Sequence, residues 1–288
     1  MPLDPAAVAA IDDLELSARL VVEGLRTGTH RSPFHGFSAE FSQYRQYRPG
    51  DDLKHLDWKV LARTDRLYTR QFRETTSMGV MLVLDTSASM DFPAGDLSKF
   101  RYAVILAAAL AYLVVAQGDS VGLMTLDHDR LSYVPSRGGR PHLRRLLALL
   151  SGLTPSGVWS PDRAIARGAE LLRRRGVMLV ISDFYDAEDE TRRELRRAAR
   201  RGHDVTMLQV LSREELAFPF TDDVEFEDAE TGTRRLVSAR AVVGAYREAI
   251  GAFVDRCRDE ARRDGIDHAL FPIDVAPDQA LRRYLVAR

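Results

Sequence analysis

Gly79-Val-Met-Leu-Val-Leu-Asp-Thr-Ser-Ala-Ser-Met90 is the stretch that decides the fold. Gly79 to Leu84 is an unbroken apolar run that stops on a carboxylate and two hydroxyls. A run this short reads as a strand, and one without alternation as a strand covered on both faces, the pattern of a parallel sheet between helices. Asp85, Ser87 and Ser89 then fall in the loop beyond the strand's carboxyl end.

Strands and helices alternate downstream. A strongly apolar helix ends at Ala116, a strand follows from Ser120 and a short one from Leu131 to Val134. Basic helix Pro141–Leu150 and helix Pro161–Arg175 lead to a second fully apolar strand, Val177–Ile181, closed by Ser182-Asp183. Helix Asp189–Arg201, strand Val205–Val210, a hairpin turning near Gly232, helix Ala239–Arg263, strand His268–Ile273 and helix Asp278–Ala287 complete the chain. This order predicts an α/β, doubly wound, mostly parallel sheet of Rossmann-like type. Upstream, helical spacing runs from Asp4 to Arg26, and Thr29 to Glu74 is loop-rich. The division expected is residues 1–77, a helix and irregular segment packed on the rest, and 78–288, the α/β domain.

Composition narrows the function. The 288 residues carry 41 Lys+Arg against 42 Asp+Glu, a net charge of -1, so no global field draws in nucleic acid or anionic lipid. The apolar run Ala103–Ala116 is shorter than the roughly 20 residues that span a bilayer. The start of the chain lacks the basic and apolar regions of a signal peptide. A cytoplasmic protein is expected. Cys257, the only cysteine, permits no intrachain disulfide and reads as a small core residue.

In such a sheet a ligand sits beyond the carboxyl ends of the strands, at the switch point. Asp85, Ser87, Ser89 and Asp183 are hard oxygen donors of the kind Mg²⁺ or Mn²⁺ takes. The same residue types also cap helices, and spacing does not separate the two readings. Neither a P-loop nor a dinucleotide fingerprint follows the first strand, and the chain holds no H-E-x-x-H or G-x-S-x-G.

Asp85-Thr-Ser-Ala-Ser89 resembles the D-x-S-x-S motif of von Willebrand factor A domains. Gly36-Phe-Ser-Ala-Glu-Phe41, Tyr44-Arg-Gln-Tyr-Arg-Pro-Gly-Asp-Asp-Leu-Lys-His-Leu-Asp-Trp-Lys59, Ala62-Arg63 and Glu74 resemble a narrower family, the MoxR-associated domain of unknown function 58. The resemblance runs from about Gly28 to Arg288. It implies a von Willebrand A-like fold and a metal-ion-dependent adhesion site. Ser87 and Ser89 would be direct Mg²⁺ ligands, Asp85 and Asp183 would act through water, and a partner's carboxylate would fill an open position. It also implies a non-enzymatic adaptor or co-chaperone for a MoxR-type AAA+ ATPase acting on client proteins. Where the family has a ligating threonine this chain has Trp159, with Ser160 one residue later. The alternatives are a metal-free scaffold with a degenerate site and a Mg²⁺-dependent hydrolase. Against the hydrolase, phosphoaspartyl chemistry needs a second acid where Ser87 stands.

Asp51, Asp52, Asp57 and Trp58 read as a clasp tying the irregular segment to the sheet or as a partner-docking surface. His30, His35 and His55 match no metal spacing, and Asp127-His-Asp129 reads as a turn. The arginines from 192 to 201 suit the end of a helix, and Arg137, Arg140, Arg144 and Arg145 form a second cluster open to an acidic partner. Lysine, present only at 54, 59 and 99, reads as a bias toward arginine without function.

Overall fold

The computed structural model describes residues 3–26, 41–46, 67–72, 78–93, 95, 97–127, 130–172, 175–185, 188–227 and 232–287. Asp51, Asp52, Asp57, Trp58, the three upstream histidines and the His128-Asp129 turn lie outside them, and with them the clasp or docking reading.

Six strands form the central sheet in the order β10-β7-β6-β3-β4-β5: β3 (Gly79–Leu84), β4 (Ser120–Asp127), β5 (Arg130–Arg137), β6 (Val177–Ser182), β7 (Asp204–Leu211) and β10 (Asp267–Pro272). All neighbours are parallel except β4 and β5. Strand β5 is longer than the short apolar run suggested. It contains Pro135, which is tolerated on this edge strand where the register with β4 shifts at a bulge. Two hairpins stand apart, β1 (Phe41–Gln46) with β2 (Tyr68–Phe72), and β8 (Asp223–Glu227) with β9 (Arg234–Ser238).

Both faces of β3 are buried, as its apolar run requires. Val80, Leu82 and Leu84 join one core and Met81 and Val83 the other. Each such side chain contributes about 1.5–3 kcal/mol on burial. The first core is built around α3 (Lys99–Ala116), with α1 (Pro5–Ala9), α2 (Leu14–Arg26), α4 (Arg140–Ser151) and α9 (Pro277–Ala287) against it. The second takes α5 (Pro161–Leu171), α6 (Glu188–Arg200) and α8 (Ala239–Arg263), with Cys257 buried in it. The predicted first helix is two, because the Asp13 carboxylate accepts from the amides of Glu15 and Leu16 and starts α2 anew. α3 is long and apolar enough to cross a membrane, and most of it is buried inside this core.

The chain leaves β3 toward β4 on one side and returns to β6 on the other. The switch point therefore lies between the carboxyl ends of β3 and β6, where Asp85 and Asp183 stand.

Candidate functional site

The ladder continues one residue past β3, with the Asp85 amide donating to the Ile181 carbonyl at 2.9 Å. Both oxygens of the buried Asp85 carboxylate are engaged. Oδ1 accepts from the Ser87 amide at 2.9 Å and Oδ2 from the Ser182 hydroxyl at 2.5 Å. Ser182 Oγ in turn accepts from the Phe184 amide at 2.9 Å, and Asp183 Oδ1 from the Tyr185 amide at 3.2 Å. Phe184 is held at φ 63°, in the left-handed region that a bulky side chain rarely occupies. Strain of this kind persists where surroundings over-determine it, and here it follows a site residue directly.

The hydroxyls stand in line with the second carboxylate. Ser87 Oγ is 3.0 Å from Ser89 Oγ, and Ser89 Oγ donates to Asp183 Oδ2 at 3.1 Å. Asp85, Ser87, Ser89 and Asp183 thus lie in one hydrogen-bonded cluster. The loop before α5 braces it, since the Ser156 amide donates to Thr86 O at 2.7 Å and the Ala88 amide to Gly157 O at 3.0 Å. Gly157 holds φ 70°, which suits a residue without Cβ.

Ser160 is not brought into the cluster by any hydrogen bond. Its hydroxyl donates to Asp162 Oδ1 at 3.0 Å, at the start of α5. Trp159 is buried in the second core with Met81, Met124 and Ile165, and its indole Nε1 finds no acceptor among the described residues. The loop places an apolar anchor in the position that the family resemblance gives to an oxygen ligand.

Lys99 overturns the reading of lysine as compositional bias. It is the first residue of α3, its side chain is 1% exposed, and its Nζ lies 2.6 Å from both Asp183 Oδ2 and Glu215 Oε1. The ammonium also stands 5.1 Å from the centre of the Tyr185 ring. Burial presses its pKa down, but Asp183 and Glu215 outweigh that and hold it above the ordinary lysine value. A compact ammonium with three donors suits a space between two carboxylates better than a planar guanidinium.

Glu215 is a second residue that sequence reading missed. It sits in α7 (Arg213–Ala217), where the Ser212 hydroxyl accepts from the Glu215 amide at 3.1 Å and Glu215 Oε2 accepts from the Ser212 amide at 2.7 Å. The Ser-x-x-Glu spacing of this capping box is legible in sequence, whereas its second partner is not. Beneath Asp183, the Gln209 side-chain amide donates to its backbone carbonyl at 3.1 Å, and Gln209 Oε1 lies 2.9 Å from His268 Nε2. Gln209 thus accepts from a neutral imidazole, in keeping with a His268 pKa lowered to about 4 by burial and by Arg258.

Two carboxylates, Asp183 and Glu215, therefore meet one ammonium, and a third, Asp85, is joined to them only through the serines and the charge of Asp183. The imbalance shows at Asp85, whose pKa is pushed up to about 7 by burial and then by the charge of Asp183, against the hydrogen bonds from Ser182 and Ser87. A divalent cation fits this donor set in kind and in charge. Neighbouring oxygens of an octahedral Mg²⁺ shell lie about 3 Å apart, close to the spacings along Ser87, Ser89 and Asp183. Among the described residues no three His, Cys, Asp or Glu side chains gather as a metal-ligand group, so any such ion would depend on the serine hydroxyls.

Fold and site together define a von Willebrand A-like α/β domain with a D-x-S-x-S loop at its switch point. The family described as "Protein of unknown function DUF58" matches residues 43–258, and the chain belongs to that family. An uncharacterized protein of Mycobacterium tuberculosis is 35% identical over 236 residues, 81% of this chain and 74% of that one. The uncharacterized protein YeaD of Bacillus subtilis is 28% identical over 121 residues, 42% of this chain and 28% of that one. Among solved structures, an aerotolerance-related membrane protein from Bacteroides fragilis shares the fold at 17% identity and a TM-score of 0.51, over 74% of this chain and 100% of that one.

Proposed function

We propose that this chain is a non-enzymatic protein-interaction module whose sheet edge holds Mg²⁺, or Mn²⁺, and presents it to a carboxylate of a partner. Ser87 and Ser89 would ligate the ion directly, with Asp85 and Asp183 acting through water. The ion would supply an electrophilic position for an acidic side chain. The partner in this reading is a MoxR-type AAA+ ATPase, with further client proteins downstream. The observation that carries it is the line of Ser87 Oγ, Ser89 Oγ and Asp183 Oδ2 at 3.0 and 3.1 Å, beside the buried Asp85 carboxylate.

Lys99 favours a second reading, a metal-free scaffold in which its ammonium is the resident cation of Asp183. Thermal unfolding in EDTA and then in rising Mg²⁺ or Mn²⁺ separates the two. Metal at about ten times its dissociation constant adds roughly 1.4 kcal/mol, or about 3–6 °C in midpoint. The module predicts that shift in the native chain and its loss in Asp85→Ala. It also predicts weaker capture of the cognate ATPase by Asp85→Ala and Ser87→Ala. No shift in the native chain would leave the scaffold standing.

A further inference from the structure

Most helices place charge in keeping with their dipole, and α8, which opens with Arg240 and no first-turn acid, engages that arginine, whose Nε donates to the Thr221 carbonyl at 3.1 Å. α5 and α9 carry an acid in their first turn, Asp162 and Asp278, and α6 and α8 carry arginines in their last. Each placement complements the helix dipole. α3 begins with a cation, but Lys99 is neutralised by Asp183 and Glu215.

α4 has no such compensation. It opens on Arg140, has no acid in its first turn and no base in its last, and its Gly139 cap offers no side chain. Arg144 follows at i+4, a like-charge pair that weakens a helix, with Arg145 beside it and Arg137 just upstream at the end of β5. All four are exposed, and none of their side chains makes a hydrogen bond or ion pair among the described residues. The nearby Asp119 carboxylate is turned inward, accepting from the Met78 amide at 3.0 Å. The folded chain gains nothing from these charges where they stand. Local rules broken without a return inside the fold point to a demand from outside it.

Arg137 pairs in register with Val121, near the start of β4. The cluster therefore lies at the amino edge of the parallel strands, opposite the Asp85–Asp183 site. We infer that this amino edge is a second interaction surface, which binds an acidic segment of a partner protein through Arg137, Arg140, Arg144 and Arg145. Guanidiniums take carboxylates in two-pronged pairs, and side chains one helical turn apart, at about 5–6 Å, come near the roughly 6.6 Å between alternate side chains of an extended peptide. Leu149, one turn beyond Arg145 and 44% exposed, offers the segment a single apolar contact. One leucine is too little for membrane insertion, and a footprint of four arginines on a chain of net charge -1 is too narrow for nucleic acid.

The test uses the full chain and a fluorescein-labelled oligoglutamate peptide, read by anisotropy at low and raised salt. In EDTA the native chain should bind the peptide, and more weakly at raised salt. Arg144→Glu/Arg145→Glu should bind about tenfold more weakly or worse, the scale of losing one charge-assisted pair. Because EDTA strips any ion from the opposite edge, this result is independent of whether that edge holds metal. Failure of the native chain to bind, binding by the double variant within twofold of native, or stronger and equally Arg-dependent binding of duplex DNA or phosphatidylserine vesicles would overturn the inference. A second measurement needs no ligand. Arg140→Glu places an acid at the start of α4 and turns the repulsive pair with Arg144 into an attractive one, so its unfolding midpoint should rise by about 1–3 °C. A fall would show that Arg140 serves the fold and would sink the argument.

Discussion

Lys99 Nζ and Asp183 Oδ2 lie 2.6 Å apart in the core, and the same carboxylate oxygen accepts the Ser89 hydroxyl at 3.1 Å. One atom thus joins the hydroxyl cluster to a buried ammonium. Through Lys99 it is joined in turn to Glu215 and the short helix that follows β7. The site is a chain of charges reaching from the end of β3 to α7.

Removing the ammonium leaves two buried carboxylates without their cation. Lys99→Met should cost about 3–5 kcal/mol, the usual consequence of breaking a buried pair from one side. Equilibrium urea unfolding gives the number. A loss below about 1 kcal/mol would mean that the pair is dispensable to the fold.

Ser212 tests the far end of the chain of charges. Its hydroxyl caps α7 while Glu215 reaches back to its amide, so Ser212→Ala removes one half of a reciprocal pair. The expected cost is about 1 kcal/mol. Glu215→Gln should cost more, because it also takes a charge from Lys99. If the two variants unfold at the same urea concentration, Glu215 acts only as a cap.

Trp159 tests the loop that departs from the family pattern. It is buried in the second core, so Trp159→Thr exchanges a large core anchor for a small polar side chain. A loss of about 3–5 kcal/mol in urea unfolding is expected, as for large aromatic truncations. A near-neutral result would show that the indole is not an anchor.

The parts legible in sequence were those fixed by periodicity and by chain order. Apolar runs at β3 and β6 mark strands buried on both faces, and their order places Asp85 and Asp183 together at the switch point. Lys99 was not legible, because its role depends on Glu215, 116 residues away, and no local spacing links them. One signal was present. A cation opening the first apolar helix after D-x-S-x-S opposes the helix dipole and asks for a compensating acid. Trp159 could be flagged as a departure, but its destination in the core depends on how α5 meets β3, which is a matter of packing. The break between α1 and α2 was hidden for a similar reason, since one carboxylate, that of Asp13, interrupts an otherwise continuous apolar pattern.

His268 gives a pH dependence whose sign can be worked out. Its folded pKa is lowered from 6.5 to about 4, chiefly by burial, while in the unfolded chain it titrates at its ordinary value. Above pH 6.5 neither state binds the proton and His268 has no effect on the balance. As pH falls from 6.5 toward 4, the unfolded chain takes up a proton that the native imidazole refuses, so native stability drops, by at most about 3 kcal/mol. Below 4 the native protein is protonated too, and the bond from Nε2 to Gln209 no longer depends on a neutral ring. His268→Gln keeps a hydrogen-bonding side chain beside Gln209 but cannot titrate. Its urea unfolding energy should therefore fall less between pH 7 and 4.5 than that of the native chain. Parallel curves for the two proteins would show that His268 titrates alike in the folded and unfolded states.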